Sequence, residues 1–162
     1  MKGRMGHVFA LGGVAGAWLM VMVASGIAAD WPQWRGPNRD GQVVGVTPPA
    51  QWPKELKQLW KIEVGEGHAS PVVAGERVYV LSREGDDEVV RSLNLADGKE
   101  LWSCRYPAPF VMSPYARSHG KGPKATPVVA GGRLYTQGID SIVSAWDAKT
   151  GKRLWQEDFS KR

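Results

Sequence analysis

The chain has 162 residues, of which 43% are hydrophobic and 23% charged, and its formal net charge at pH 7 is +5. Lysine and arginine alternate with aspartate and glutamate, so this mild positive charge is typical of a solvated surface and does not indicate a nucleic-acid partner. A single cysteine, Cys104, excludes an internal disulfide, so the fold must depend on its hydrophobic core. We expect Cys104 to be a half-buried thiol in a strand, the alternative being an intermolecular bridge.

Residues 1–29 have the pattern of a signal peptide. Lys2 and Arg4 give a positive start, residues 8–23 are almost entirely apolar or small, and small residues at 26–29 supply a cleavage site. Cleavage would leave a periplasmic or extracellular chain of net charge +3 (19 basic against 16 acidic residues) without a stable membrane span. The alternative is a retained membrane anchor, because the apolar stretch approaches the length that spans a bilayer. No cysteine stands at the cleavage site, so lipid attachment there is not expected.

Two similar units follow, and both have the composition of β-strands. Ser70–Tyr79 matches Thr126–Tyr135, and Ser92–Trp102 matches Ala145–Trp155 at a distance of 53 residues. Short runs of Val, Leu, Tyr and Trp alternate with Gly, Pro and Asp, which predicts short strands joined by tight turns. Each unit is therefore expected to be a four-stranded antiparallel meander. In the first unit the predicted strands are about 70–74, 77–82, 88–95 and 99–104.

Turn residues occupy matching places in the two units. Glycines at the predicted hairpin turns accept the positive φ that other residues resist. Asn94 and Asp147 precede the second turn of their unit, where a short oxygen-bearing side chain can accept backbone N–H groups. The first unit has three additional residues, which we place in a loop at 83–88. Its acidic run 86–88 is interpreted as a solvated hairpin loop, because it lacks the ordered ligand spacing of a calcium site.

One tryptophan closes each unit, Trp102 in the first and Trp155 in the second. A single four-stranded sheet cannot bury its apolar faces alone, so each unit needs a neighbour. A tryptophan offers about 150–250 Å² of burial, and we predict that each one packs between adjacent sheets. Trp60 is predicted to do the same for an earlier, degenerate unit. Sheets packed radially, one per repeat, form a β-propeller.

The second unit resembles a known family. The pattern Ala-x-Asp-x-x-Thr-Gly-x-x-x-Trp is met in full by residues 145–155 and resembles the tryptophan-docking motif of pyrroloquinoline-quinone (PQQ) propeller repeats. Residues 31–38 and the stretch 109–127 are also similar to exported PQQ-like repeat proteins, a broad group that includes the propeller lipoprotein of the outer-membrane β-barrel assembly machinery. The positions that carry the repeat are Trp60, Asn94, Gly98, Trp102, Asp147, Thr150, Gly151 and Trp155.

The resemblance implies an all-β fold made of PQQ-like four-stranded propeller blades. Rings of this family contain about seven or eight blades, so two units and a partial one indicate an incomplete N-terminal fragment, with the missing blades as partners. The predicted organisation is a signal peptide at 1–29, a lead-in segment with a partial blade at 30–67, a blade at 68–107, an inserted loop at 108–123 and a blade at 124–162.

The inserted loop is the predicted functional surface. Ordering additional residues between two regular units costs conformational entropy, which favours a loop that contacts something. The alternative is that the loop plugs the channel or one end of the ring. His68 and His119 are interpreted as turn histidines, because no ligand stands at metal-binding spacing from either, and no catalytic or metal-binding residue is predicted. The candidate binding residues are Tyr115, Arg117, His119, Lys121 and Lys124.

Two functions are compatible with this pattern. The first is an exported, non-catalytic binding or scaffold module of the cell envelope, which binds a protein or an envelope component and needs no cofactor. The alternative is an N-terminal fragment of a PQQ-dependent alcohol or sugar dehydrogenase, in which PQQ would be the cofactor. That class uses adjacent cysteines and often a Cys-x-x-Cys-His haem site, whereas Cys104 is followed by Arg-Tyr-Pro. We therefore expect a protein without catalysis in this stretch.

Overall fold

The computed structural model describes residues 29–43 and 45–161, so the predicted signal peptide lies outside the described residues except at its last position. The chain forms two four-stranded antiparallel sheets, which we call blade 1 and blade 2, with strand orders β1-β2-β3-β4 and β5-β6-β7-β8. The prediction of an all-β fold of four-stranded blades is confirmed.

Blade 1 consists of β1 (Val72–Ala74), β2 (Arg77–Glu84), β3 (Asp87–Asn94) and β4 (Glu100–Pro107). Blade 2 consists of β5 (Val128–Ala130), β6 (Arg133–Gln137), β7 (Ile142–Asp147) and β8 (Arg153–Asp158). Short 3-10 helices lie at Pro114–His119 and Phe159–Lys161.

The two blades repeat each other in register. Val72 pairs with Tyr79 in blade 1, and Val128 pairs with Tyr135 in blade 2. Each blade has one register shift between its third and fourth strands, at 92–93 and at 145–146. The repeated sequence therefore specifies the irregularities of the sheet as well as its strands. The four predicted strands of blade 1 are confirmed in number and order, with ends that differ by up to three residues.

The prediction of a solvated hairpin loop at residues 86–88 is confirmed for Asp86, whose side chain is 87% exposed in the β2–β3 turn, and is wrong for Asp87 and Glu88, which belong to β3. β2 and β3 have eight residues each and are joined by residues 85–86 alone, whereas β6 and β7 have five and six residues joined by residues 138–141. The three additional residues of the first unit thus lengthen its strands. Glu88 is fully buried, because Tyr106 Oη donates to its Oε2 at 2.7 Å and the Ile139 backbone N–H donates to its Oε1 at 2.7 Å. A carboxylate can be buried when such donors replace water.

The hydrophobic core lies between the two blades. Tyr106 of β4 and Trp146 of β7 stack with ring centroids 6.0 Å apart and an interplanar angle of 26°. Trp146 is buried, and its indole N–H donates to Thr136 Oγ1 at 2.9 Å. The repeat did not predict the burial of Trp146, because the equivalent position of blade 1 is Leu93. The core also contains Val72, Tyr79, Leu81, Val90, Leu134 and Ile142.

A tryptophan joins each blade to the segment before it. The Trp102 indole N–H donates to the Ala148 carbonyl at 3.1 Å, and the ring lies so close to Gly151 that a Cβ there would be 2.7 Å from Trp102 Cδ2. Trp60 makes the same contacts with blade 1: its indole N–H donates to the Leu95 carbonyl at 2.9 Å and its Cδ2 would be 2.7 Å from a Cβ at Gly98. The turns at 98 and 151 require glycine because the indole ring leaves no room for a Cβ and because the backbone φ is positive there.

The lead-in segment connects the first strands of the two blades. Trp31 exchanges two backbone hydrogen bonds with Val73 of β1, at 2.8 and 2.9 Å, and the Pro32 carbonyl accepts from the Val129 N–H of β5 at 2.8 Å. Residues 31–32 therefore bridge the two sheets. Across the described ranges, no helix is long and apolar enough to cross a membrane.

Candidate functional site

The alternating strand directions place the long connections at one end of both sheets. In an antiparallel meander, every second connection lies at the same end. The β2–β3 turn, the β4–β5 connection and the β6–β7 connection share this end, which we call the loop end, with the segment 64–70 that precedes β1. The glycine turns that contact Trp60 and Trp102 lie at the opposite end. The inserted loop belongs to the β4–β5 connection, so its candidate residues project from the loop end.

Backbone hydrogen bonds attach the inserted loop at both of its ends. The Ala108 N–H donates to the Asp86 carbonyl of the β2–β3 turn at 3.0 Å. At the other end, the Pro123 carbonyl accepts from the N–H groups of His68 and Ala69 at 2.8 and 3.1 Å. The loop thus spans from the β2–β3 turn to the segment before β1. Between these points, it forms the 3-10 helix Pro114–His119.

A pocket of about 480 Å³ lies between the loop and the segment before β1. Its polar side chains are those of Glu66, His68, Arg117, Ser118 and His119. The His68 ring Nε2 donates to the His119 carbonyl at 2.9 Å, and Lys124 Nζ donates to the same carbonyl at 3.2 Å. These two bonds hold the end of the 3-10 helix over the pocket.

The pocket brings together some of the candidate binding residues and not others. Arg117 and His119 line it, and Lys124 supports it through the His119 carbonyl. Tyr115 is 98% exposed, and Lys121 is also exposed, so these two side chains belong to the outer surface of the loop. The loop therefore presents an inner face to the pocket and an outer face to solvent.

Glu66 was not among the predicted site residues, and His68 was interpreted as an isolated turn histidine. Glu66 reaches this position because its backbone exchanges two hydrogen bonds with Arg83, at 2.9 and 2.7 Å. That pairing crosses from the lead-in segment to β2, and no local spacing reveals it. The contact of His68 with residue 119, 51 residues along the chain, is made to a backbone carbonyl, so the side chain at position 119 carries no signal of it.

The repeat residues shape the turns at the opposite end of the blades. Asp147 Oδ1 accepts from the Thr150 N–H and from Thr150 Oγ1, both at 2.8 Å, and these hydrogen bonds lower the pKa of the Asp147 carboxyl. In blade 1, Asn94 Oδ1 accepts from the Ala96 N–H at 2.8 Å. The prediction that both side chains accept backbone N–H groups is confirmed.

Cys104 lies half-buried in β4, as predicted. Its Sγ donates to the Gly151 carbonyl at 3.1 Å, and burial raises the pKa of the thiol. A thiol held protonated against a backbone carbonyl is a poor nucleophile. Within the described ranges, no three or more His, Cys, Asp or Glu side chains converge as metal ligands.

Comparison with known proteins agrees with this architecture. The family model described as "Outer membrane protein assembly factor BamB" matches residues 39–162. The chain is 28% identical over 138 residues to "1-butanol dehydrogenase (cytochrome c)" from Thauera butanivorans, an alignment that covers 78% of this chain and 18% of that protein. This chain thus spans less than a fifth of the length of that relative.

Solved structures of propeller proteins are also similar. A europium-containing methanol dehydrogenase matches with 24% identity and a TM-score of 0.41, over 57% of this chain and 16% of that one. BamB from Moraxella catarrhalis matches with 17% identity and a TM-score of 0.45, over 63% of this chain and 31% of that one. With residues 39–162 matched by the family model and two four-stranded blades observed, the chain belongs to the PQQ-like β-propeller repeat family described as outer membrane protein assembly factor BamB.

Proposed function

We propose that the protein is an exported, non-catalytic binding module of the cell envelope, which recognises a protein or another envelope component with the inserted loop. The observation that carries this proposal is the outer face of the loop. Val111 and Tyr115 are 96% and 98% exposed on a segment that is hydrogen-bonded to the blades at both ends. Large apolar side chains presented by an attached loop are typical of protein interaction sites.

The family description supports a partner in the envelope, because it concerns the assembly of outer-membrane proteins. The β-sheets supply a rigid base, and the loop supplies the contact surface. Tyrosine suits this role, since its ring gives a large contact area and its hydroxyl can form a hydrogen bond at the rim of an interface.

The proposal is tested by site-specific photo-cross-linking in cells that express the protein from its own gene. A photoreactive phenylalanine analogue is placed at Tyr115 and, as a control, at Lys149, which is exposed at the opposite end of blade 2. We expect an ultraviolet-dependent adduct with an envelope component from position 115 and none from position 149. The absence of any adduct from position 115, with the protein correctly exported, would contradict loop-mediated binding.

A second candidate is the N-terminal part of a quinone-dependent dehydrogenase. It is supported by the 28% identity to a protein named 1-butanol dehydrogenase (cytochrome c). The two candidates are separated by adding PQQ, Ca²⁺ and 1-butanol to the full-length protein, with all of its blades, and measuring dye-linked oxidation. Turnover above that of a protein-free control would overturn the non-catalytic proposal, and no turnover would count against the dehydrogenase.

A further inference from the structure

The inserted loop lies in a long stretch of the chain that has no acidic residues. Residues 101–139 contain no aspartate or glutamate, although the whole chain has 16. Three of the five lysines and arginines of this stretch, together with one histidine, lie within the eight residues 117–124. These basic side chains are Arg117, His119, Lys121 and Lys124. The loop therefore concentrates positive charge at one end of the blades.

The positive charge of the loop is not neutralised by ion pairs. Within the described ranges, the ion pairs join residues 83–105 of blade 1, and none of them includes a basic side chain of the loop. Arg105 comes from the same acid-free stretch but lies in β4, where its guanidinium pairs with Glu84 and Asp87. The loop thus leaves its cations to solvent or to a partner.

Two carboxylates lie near the loop and offset little of its charge. Glu66 lines the pocket, and its Oε2 is beneath the loop, 3.8 Å from the position of a Cβ on Gly120. Asp86, whose carbonyl anchors the start of the loop, is already paired with Arg83. Against the three lysine and arginine charges of residues 117–124, Glu66 supplies one negative charge. The loop and its pocket therefore keep a net positive charge.

The basic segment is held in place before any partner binds. Lys124 Nζ and the His68 ring both donate to the His119 carbonyl, at 3.2 and 2.9 Å. A Cβ at Gly122 would be 2.5 Å from the Glu66 carbonyl oxygen, so the backbone of the loop packs directly on the segment before β1. Because the fold already orders this segment, binding loses less conformational entropy than it would with a free loop.

The shape of the loop favours a protein segment over a lipid surface. Arg117 and His119 line the pocket, which is a recess of about 480 Å³, and Val111 and Tyr115 are exposed on the outer surface of the same loop. The side chains of a polypeptide can enter a recess and cover the exposed apolar groups together. The headgroups of a flat membrane would meet the outermost charges alone.

We propose that the inserted loop binds an acidic segment of a protein, with carboxylate side chains of the partner at Arg117 and Lys121 and an apolar side chain at Tyr115. This inference rests on the proposed function and states the chemistry of its partner. The planar guanidinium of Arg117 fits a carboxylate through two parallel hydrogen bonds. Complementary charge speeds association and excludes positively charged partners, and tyrosine and arginine are the residue types that dominate binding energy at interfaces.

The test uses the full chain and two fluorescent synthetic polymers, one of glutamate and tyrosine and one of glutamine and tyrosine. We expect the wild-type protein to bind the glutamate polymer more tightly, measured by fluorescence anisotropy, with an affinity that falls as salt is added. Arg117→Gln combined with Lys121→Gln should weaken this binding about tenfold. The hydrogen bonds that anchor the loop come from Lys124, His68 and the backbone, so these substitutions leave them in place.

Lys149→Gln combined with Lys152→Gln is the matched control. It removes the same charge from exposed residues at the opposite end of blade 2 and should keep the affinity of the wild type. Equal losses in the two double variants would show that net charge alone attracts the polymer, which would overturn the proposal. Equal affinity of the wild type for the two polymers would overturn it as well.

Two measurements decide the proposal even when the Arg117→Gln, Lys121→Gln variant does not fold. An affinity of the wild type for the glutamate polymer that is independent of salt contradicts recognition by charge. Sedimentation of the wild type with vesicles of phosphatidylethanolamine and phosphatidylglycerol, without binding of the glutamate polymer, would assign the loop to a membrane and reject an acidic protein segment.

The cross-link from position 115 in cells separates this inference from the proposed function. We expect the Arg117→Gln, Lys121→Gln variant to form that adduct several times less efficiently than the wild type. An undiminished adduct would leave the envelope partner in place and refute its acidic character. If the wild type forms no adduct, the proposed function fails, and the polymer measurements still decide the chemistry that the loop recognises.

Discussion

The indole of Trp102 lies against Gly151 of the neighbouring blade, so closely that a Cβ at Gly151 would be 2.7 Å from Trp102 Cδ2. The same ring donates a hydrogen bond of 3.1 Å to the Ala148 carbonyl. The contact therefore depends both on the tryptophan and on the absence of a side chain opposite it. Trp60 and Gly98 repeat it at the same distance in blade 1.

Trp102→Ala should destabilise the chain far more than Trp155→Ala. The two tryptophans make matching contacts inside their own blades, with ring centroids 6.1 Å from Tyr79 and 6.4 Å from Tyr135, respectively. Trp102 also packs on the turn of blade 2, whereas Trp155 is 48% exposed. We expect a loss of about 3 kcal/mol for Trp102→Ala and less than about 1 kcal/mol for Trp155→Ala, measured by urea unfolding. Equal losses would show that the contact between blades contributes nothing.

Gly151→Ala and Gly131→Ala form a matched pair that separates backbone strain from the clash. Both glycines have positive φ, +75° and +55°, but a Cβ at Gly131 meets nothing within 4 Å. We expect Gly131→Ala to cost about 1–2 kcal/mol from the left-handed conformation alone. Gly151→Ala should cost clearly more, because Trp102 must also move. Comparable free energies of unfolding for the two variants would argue against a tight approach of the indole.

Acid should weaken the second turn of blade 2, because the carboxyl of Asp147 accepts hydrogen bonds there. The hydrogen bonds from Thr150 hold the pKa of Asp147 below its ordinary value of 3.8. A depressed folded-state pKa gives stability that is present above the unfolded pKa and is lost as the pH falls through the folded one. We expect Asp147→Asn to reduce the dependence of unfolding free energy on pH below about 4.

Asn94 occupies the equivalent turn of blade 1 and does not titrate, which supplies the reverse experiment. Asn94→Asp should add acid sensitivity in the same pH range. If neither substitution changes the pH profile, these turn carboxylates contribute nothing to acid stability.

Alkaline pH should weaken the contact between the blades. Burial, followed by the nearby Glu88 carboxylate, raises the pKa of Tyr106 above its ordinary value of 10.0, and burial also raises the pKa of Tyr79. With raised folded-state pKa values, this stability is fully present below about pH 10 and is lost as the pH rises above it. We expect Tyr79→Phe, which removes the hydrogen bond to the Ala148 carbonyl, to have a smaller loss of unfolding free energy between neutral and alkaline pH than the wild type. An unchanged alkaline slope would contradict this assignment.

The sequence predicted the parts of the fold that local chemistry determines. Gly98 and Asn94 identify their turn because positive φ and N–H acceptance are properties of a few neighbouring residues. Glu88 was misjudged because its burial depends on donors from Tyr106 and Ile139, and Ile139 belongs to the other blade. The inserted loop could be identified from the sequence as an insertion between two repeats, but its pocket could not. Glu66 and His68, which line the pocket, come from a segment about 50 residues earlier along the chain. Glu66 is held there by backbone pairing with Arg83, and His68 by its hydrogen bond to the His119 carbonyl.

The contact between blades has a direction: an indole from the outer strand of one repeat meets the glycine turn of the next. Every copy of the repeat therefore carries both complementary halves, one at each of its faces. Tandem duplication of such a coding segment lengthens the array without the evolution of a new interface, because the added copy fits its predecessor and its successor from the start. A substitution in one copy then breaks a single junction and leaves the others intact.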